Sequence, residues 1–255
     1  MKKIDRTGVE GINNQGLHMK IISYRSHRDI DVLFDDGYIK QKCCYSNFLI
    51  GQIKNPYFKS LYNVGCIGEG VYSSKTEGKM TKQYNAWSAM FNRCYSKKEK
   101  YNLSYIGCVV CEEWHNFQNF AKWYDENYYS CDNEKMNIDK DILKKGNKVY
   151  SPENCIFVPE RINNLFSNLS PKGRGLPIGV MPHVKCENIY IASCLTEISN
   201  NKNGYIGSYK TTTEAFDAYK STKEAFIKRV ADDYKDKIPV KLYNAMYLFE
   251  VDAGD

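Results

Sequence analysis

Hydrophobic and polar positions change period along the chain, and each change marks a predicted element or a boundary. Between Gly8 and about Phe58 the apolar residues alternate: Met19, Ile21 and Tyr24, then Ile30, Val32 and Phe34, then Tyr38-Ile39 after Asp35-Asp36-Gly37. An Asp-Gly pair between alternating runs is a short-range hairpin signature, because such turns need residues that tolerate positive φ. The stretch predicts a small β-barrel or meander over 1–60, closed by Ser46 to Ile50 and an Asn55-Pro56 turn. Gly65, Gly68, Gly70 and Gly78 follow without a helical period; they lack the strand and helix that frame a phosphate loop and read as turns. From Tyr84 the period becomes 3.6, with Trp87, Met90, Phe91 and Cys94 at i, i+3, i+4 and i+7. A second helix carries Trp114, Phe117, Phe120, Ala121, Trp123 and Tyr124. All three tryptophans lie in these two helices, which reads as core packing rather than a cofactor box.

Asn137 to Phe166 has a different pattern, NIDKDILKKGNKVYSPENCIFVPERINNLF. A short strand ends in Asp139, a glycine turn follows at Gly146, a Ser-Pro-Glu-Asn turn leads to a strand from Cys155 to Val158, and a helix starts at Glu160. Beyond it, NLSPKGRGLP from Asn168 to Pro177 combines prolines, glycines and cations without periodicity, the composition of a linker. Gly179 to Val184, Ile189 to Leu195 and Tyr205 to Tyr209 then predict three short strands, and Thr212 to about Tyr234 a helix. Thr211 with Glu214 makes a capping box, and Ala215, Ala218, Tyr219, Ala225, Phe226 and Val230 give that helix one apolar face. Residues 236–255 read as a tail.

Composition changes this picture little. The 255 residues are 42% hydrophobic and 26% charged, close to folded soluble chains, so wholesale disorder is excluded. No run approaches the roughly 20 apolar residues that cross a bilayer, and the opening MKKIDRTGVE lacks the apolar stretch of an export signal, so the chain reads as cytoplasmic with no membrane partner. Its 10 cysteines are then expected as small buried residues or metal ligands rather than disulfides. Lys+Arg 36 against Asp+Glu 30 gives +6, compatible with nucleic acid without requiring it. The acidic C-terminal segment places the basic excess upstream, and the 21 tyrosines share A/T-rich codons with the abundant Asn, Lys and Ile.

The candidate chemistry lies in the β-turn-β-α stretch. A hard divalent cation needs oxygen ligands, and Asp139 at a strand end with Asn163 one turn into the helix can supply two, leaving positions for water and a phosphate. Lys144, Lys145 and Lys148 lie in the same turn and can track a phosphate backbone, as can Lys97, Lys98 and Lys100 between the tryptophan helices. Cys108-x-x-Cys111 has no second CxxC, so these thiols read as core residues rather than zinc ligands. His18, His27 and His183 have no acidic or cysteine neighbours at ligand spacing.

These residues resemble the HNH nucleases of phage genomes, homing endonucleases included. The likeness rests on Trp87-x-x-Met90-x-x-Arg93-Cys94-Tyr95, Val110-Cys111-Glu112-Glu113-Trp114-x-x-Phe117-x-x-Phe120, Ile138-Asp139-Lys140-Asp141 and Tyr150-Ser151-Pro152-Glu153-Asn154-Cys155, in that order. It covers about Tyr84 to Phe166 and implies a ββα-metal domain over 61–168. There Asp139 and Asn163 hold Mg²⁺ or Mn²⁺, and Asn154 orients the base or braces the loop. Lys140 stands where the family has its general-base histidine. An imidazole titrates near 6.5 and a lysine near 10.4, which leaves three readings. The site has lost hydrolysis and only binds DNA; or Lys140 stabilises phosphate charge; or His115 or Asp141 serves as the base.

Gly179-Val180, Tyr190-Ile191-Ala192, Tyr205-Ile206-Gly207-Ser208-Tyr209 and Thr212-x-Glu214-Ala215-x-x-Ala218-Tyr219 resemble the Apetala/ethylene-response-factor domain, which lays a three-stranded sheet in the DNA major groove. In place of the Arg and Trp that such a sheet uses to read bases, residues 178–235 offer Met181, His183, Lys185 and Tyr190, with Lys202 and Lys210 nearby. The fold expected is α+β: a small N-terminal β-domain, a central ββα-metal domain with flanking helices, and a three-stranded sheet with one helix. The resemblance implies a DNA endonuclease of a phage-infected host cell with double-stranded DNA as partner. The alternative is a catalytically inactive DNA-binding or virion-associated protein that keeps the fold.

Overall fold

The predicted Asp-Gly turn joins the last two strands of a four-stranded antiparallel sheet. Its strands β1 (Glu10–Ile12), β2 (His18–Ser26), β3 (Asp29–Phe34) and β4 (Ile39–Cys43) lie side by side in chain order. Gly37 takes φ +86° at the turn, and Asp36 fixes it by accepting from the Tyr38 amide at 3.1 Å and from the Asn55 side chain at 2.6 Å. Met19 pairs with Phe34 and Ile21 with Val32, so one face becomes a core. Ser46 to Ile50, expected to close the barrel, instead belongs to helix α1 (Tyr45–Leu49). Tyr45 and Phe48, three residues apart, drop onto the core of the sheet, and that i, i+3 contact favours a helical turn over another strand.

The computed structural model describes residues 4–96, 105–166, 175–195 and 204–254. The protein is α+β, and it forms two compact units, 1–125 and 126–255. In the first unit a two-stranded ribbon, β5 (Lys75–Thr76) and β6 (Lys79–Met80), leads into α2 (Lys82–Tyr95). Thr81 caps α2 by accepting from the Tyr84 amide. Trp87, Met90 and Phe91 are buried at the predicted spacing. The second tryptophan helix is interrupted: Glu112–His115 is a 3-10 turn, Asn116 is extended, and α3 runs from Phe117 to Asn127. The break has a partner, because Cys66 donates its amide to the His115 carbonyl and accepts from the Phe117 amide. The glycine-rich connection is thus a strap laid across the aromatic core. A Cβ on Gly65 would sit 2.8 Å from the Trp87 ring, so close approach requires glycine there.

The second unit begins in the last turn of α3, inside the 61–168 segment read from sequence as one domain. Strands β7 (Met136–Asp139) and β8 (Ile156–Pro159) pair antiparallel, with Asp139 opposite Ile156, and α4 (Glu160–Leu165) follows β8 directly. Strands β9 (Val180–Pro182), β10 (Tyr190–Ser193) and β11 (Tyr205–Tyr209) form an antiparallel sheet in that order. Helix α5 (Thr212–Asp233) opens with the predicted capping box, both halves formed. Ala215 and Tyr219 face the three-stranded sheet, while Phe226, Ile227, Val230 and Ala231 enter the core that also holds Ile156 and Val158 of the hairpin and Ile162 of α4. One long helix therefore serves both sheets. The segment read as a tail carries helix α6 (Val240–Tyr247), whose Leu242 and Met246 are fully buried in the same core. Most of the predicted linker, and Lys97, Lys98, Lys100 and Lys202, fall outside the described residues.

Candidate metal and DNA site

The hairpin places Asp139 as the last residue of β7. Its Oδ1 accepts from the amides of Asp141 at 2.9 Å and Ile142 at 2.7 Å, so the side chain folds the departing chain into a tight turn. Burial, and then the neighbouring Asp141 carboxylate, push the Asp139 carboxyl up to about 6, although the two amides pull the other way. A carboxylate held this way ionises at a cost, which a bound cation would relieve. Helix α4 packs on both β7 and β8, so Asn163, half-buried on that helix, belongs to the same ββα layer. A carboxylate oxygen and an amide oxygen are hard donors, the kind that Mg²⁺ and Mn²⁺ prefer. Among the described residues no group of three or more His, Cys, Asp or Glu gathers as a metal cluster, Cys108 and Cys111 included.

Lys140 occupies the position next to Asp139 but turns inward. It is 6% exposed, its Nζ lies 2.8 Å from Asp141 Oδ2 and 5.9 Å from the centre of the Tyr150 ring. Its charge is thereby committed to Asp141. Asn154 donates to the Ser151 hydroxyl at 3.0 Å, and Ser151 O accepts from the Cys155 amide, so Asn154 braces the turn that leads into β8. Sequence reasoning missed Asn147, whose side-chain amide donates to the carbonyls of Lys140 at 2.7 Å and Val149 at 2.8 Å. The Gly146-Asn147 pair, a turn-forming dipeptide, was the available signal.

His115 belongs to the first unit, where its Nε2 donates to the Val110 carbonyl at 3.0 Å and its ring meets Phe91 edge-on. That is a packing role. Of the turn lysines, Lys145 donates to Asp252 Oδ2 at 2.6 Å and to the Glu250 carbonyl at 2.8 Å, which neutralises it. Lys144 and Lys148 are exposed and have no ion-pair partner among the described residues.

On the three-stranded sheet, Tyr190 packs with Ala192 and Tyr219 on the side facing α5. Met181, Ile191 and Ser208 are cross-strand neighbours on the opposite side, so the outer face carries no cation at these strand positions. His183 Nδ1 accepts from the amides of Lys185 and Cys186, both at 3.1 Å, and so organises the turn between β9 and β10. Lys185 and Lys210 are exposed at the rim. No helix among the described residues is long and apolar enough to cross a membrane. No protein-family model, curated protein or solved structure matches this chain.

Proposed function

We propose that the second unit binds double-stranded DNA and hydrolyses its phosphodiester bonds slowly, in a divalent-metal-dependent reaction of the HNH type centred on Asp139. The observation that carries this reading is a partly buried carboxylate at the end of a ββα hairpin whose ionisation is opposed by burial and by Asp141. Such a group gains from a cation. Asp139 and Asn163 would hold Mg²⁺ or Mn²⁺, which supplies charge stabilisation for the leaving oxygen. Asn154 keeps the turn above the site in shape, and Lys144 and Lys148 meet neighbouring phosphates. Lys185 and Lys210 add contacts from the rim of the three-stranded sheet, which favours backbone binding over base reading.

Slow turnover follows from the missing base. Lys140 is committed to Asp141 and His115 to Val110, so neither is poised to take a proton from water. Loss of general-base assistance costs about 10²- to 10⁴-fold in rate. The same Lys140 ion pair favours a second reading, a DNA-binding protein that keeps the nuclease scaffold without hydrolysis. Supercoiled plasmid with Mg²⁺ or Mn²⁺ separates the two. Metal-dependent nicking that disappears in both Asp139→Ala and Asn163→Ala supports hydrolysis; retardation without nicking supports the binder; neither effect refutes both.

A further inference from the structure

We infer that the ribbon β5–β6 of the first unit is a second DNA-contacting element, inserted into a groove of the duplex with a lysine against each wall. The inference extends the DNA reading to a part of the chain that it has not used. The residues from Lys75 to Met80 are all exposed. Three other cations of this unit are tied down: Lys20 to Glu10, Arg25 to Asp29 and Asp31, and Lys40 to Glu69. Lys75, Lys79 and Lys82 have no ion-pair partner among the described residues. Against Glu77 they leave the ribbon and its exit with a net charge of 3 − 1 = +2.

The register supplies the geometry. Lys75 pairs with Met80 and Thr76 with Lys79. Directly paired residues share a face, so Lys75 and Lys79 project from opposite faces of the ribbon. A cation on each face suits a groove whose two walls are phosphate strands, and the B-DNA major groove admits a two-stranded ribbon. The ribbon is also held in place. The Thr81 hydroxyl donates to the Ser73 carbonyl at 3.1 Å while accepting the α2 cap, and the Ser73 hydroxyl donates to the Lys75 carbonyl at 2.6 Å. Glu77 at φ +52° and Gly78 at φ +77° make a tight turn at the tip. An ordered ribbon loses little freedom on binding.

The test is salt-dependent DNA retention by the full chain carrying Lys75→Gln and Lys79→Gln, beside a control with the same charge loss at Lys228→Gln and Lys235→Gln on the exposed side of the second unit. The ribbon variant is expected to bind a 20-base-pair DNA duplex on the order of tenfold more weakly at about 0.1 M salt, with a log–log salt slope shallower by about two, while the control changes little. An unchanged circular dichroism spectrum and melting temperature keep folding out of the result. Equal losses in the two variants overturn the ribbon assignment and leave the general DNA reading intact. Absence of retention by the unaltered protein overturns both. An RNA duplex should bind less well, because its deep, narrow major groove excludes a ribbon; equal binding contradicts insertion.

Discussion

The hairpin of the second unit and the ribbon of the first are both short antiparallel elements rich in lysine, yet the hairpin turn pairs two of its four lysines and the ribbon pairs none. In the hairpin turn, Lys140 is buried against Asp141 and Lys145 is held by Asp252. In the ribbon, Lys75 and Lys79 stand in solvent without partners. The sequence pattern around Asp139 points to Lys140 as the conspicuous cation, while the ribbon carries no such pattern. A lysine's use is set by what the fold places beside it, and membership in a motif does not reveal that.

The largest way to sharpen the contrast is to test packing. Ile162 of α4 is fully buried in the core shared with α5, so Ile162→Ala should cost about 3 kcal/mol of unfolding free energy in urea. Thr76→Ala in the exposed ribbon should stay within about 0.5 kcal/mol. Equal losses would mean that the ribbon is part of a core. Next, because burial and Asp141 oppose the charge of Asp139, Asp139→Asn should stabilise the chelator-treated protein at neutral pH by about 1–2 kcal/mol. Destabilisation there would show that the turn needs the ionised carboxylate more than its burial penalises it.

Lys140→Met keeps the volume of the buried chain and removes its charge. About 1 kcal/mol of stability should be lost, since Asp141 is half exposed and partly rehydrates, whereas Lys79→Met should leave stability unchanged. The smallest effect belongs to a third kind of cation. Arg25 donates to both Asp29 and Asp31 and holds their carboxyls below the ordinary range. Lowered folded-state values mean that their stabilisation is present above about pH 4 and is lost as the pH falls through those values. Arg25→Gln should therefore lower the melting temperature slightly at pH 7 and leave it unchanged near pH 2, so that the acid limb flattens, as measured from pH 2 to 7.

Much of the fold was legible because local chemistry and tertiary packing agree. The Thr211 and Glu214 capping box, the Asp36-Gly37 turn and the 3.6-residue spacing of Trp87, Met90 and Phe91 each act within a few residues. The misses involve partners distant in sequence. Cys66 breaks the second tryptophan helix at Asn116, about fifty residues away. Helix α6 follows a charged stretch that masks its pattern, although Leu242 and Met246 have helical spacing. At the candidate site, Asp139 at a strand end and Asn163 on the following helix were readable from order alone. The burial of Lys140, the tether of Lys145 to Asp252 and the inward packing of Tyr190 were not, because each depends on a residue that the motif does not contain.

The proposed hydrolysis requires a divalent cation at Asp139. Titration of the full chain with Mn²⁺, with the free ion followed by electron paramagnetic resonance, should show one equivalent bound by the unaltered protein and by Lys140→Met, and none bound by Asp139→Asn. Mn²⁺ binding that persists unchanged in Asp139→Asn, or no binding in any of the three, would contradict it.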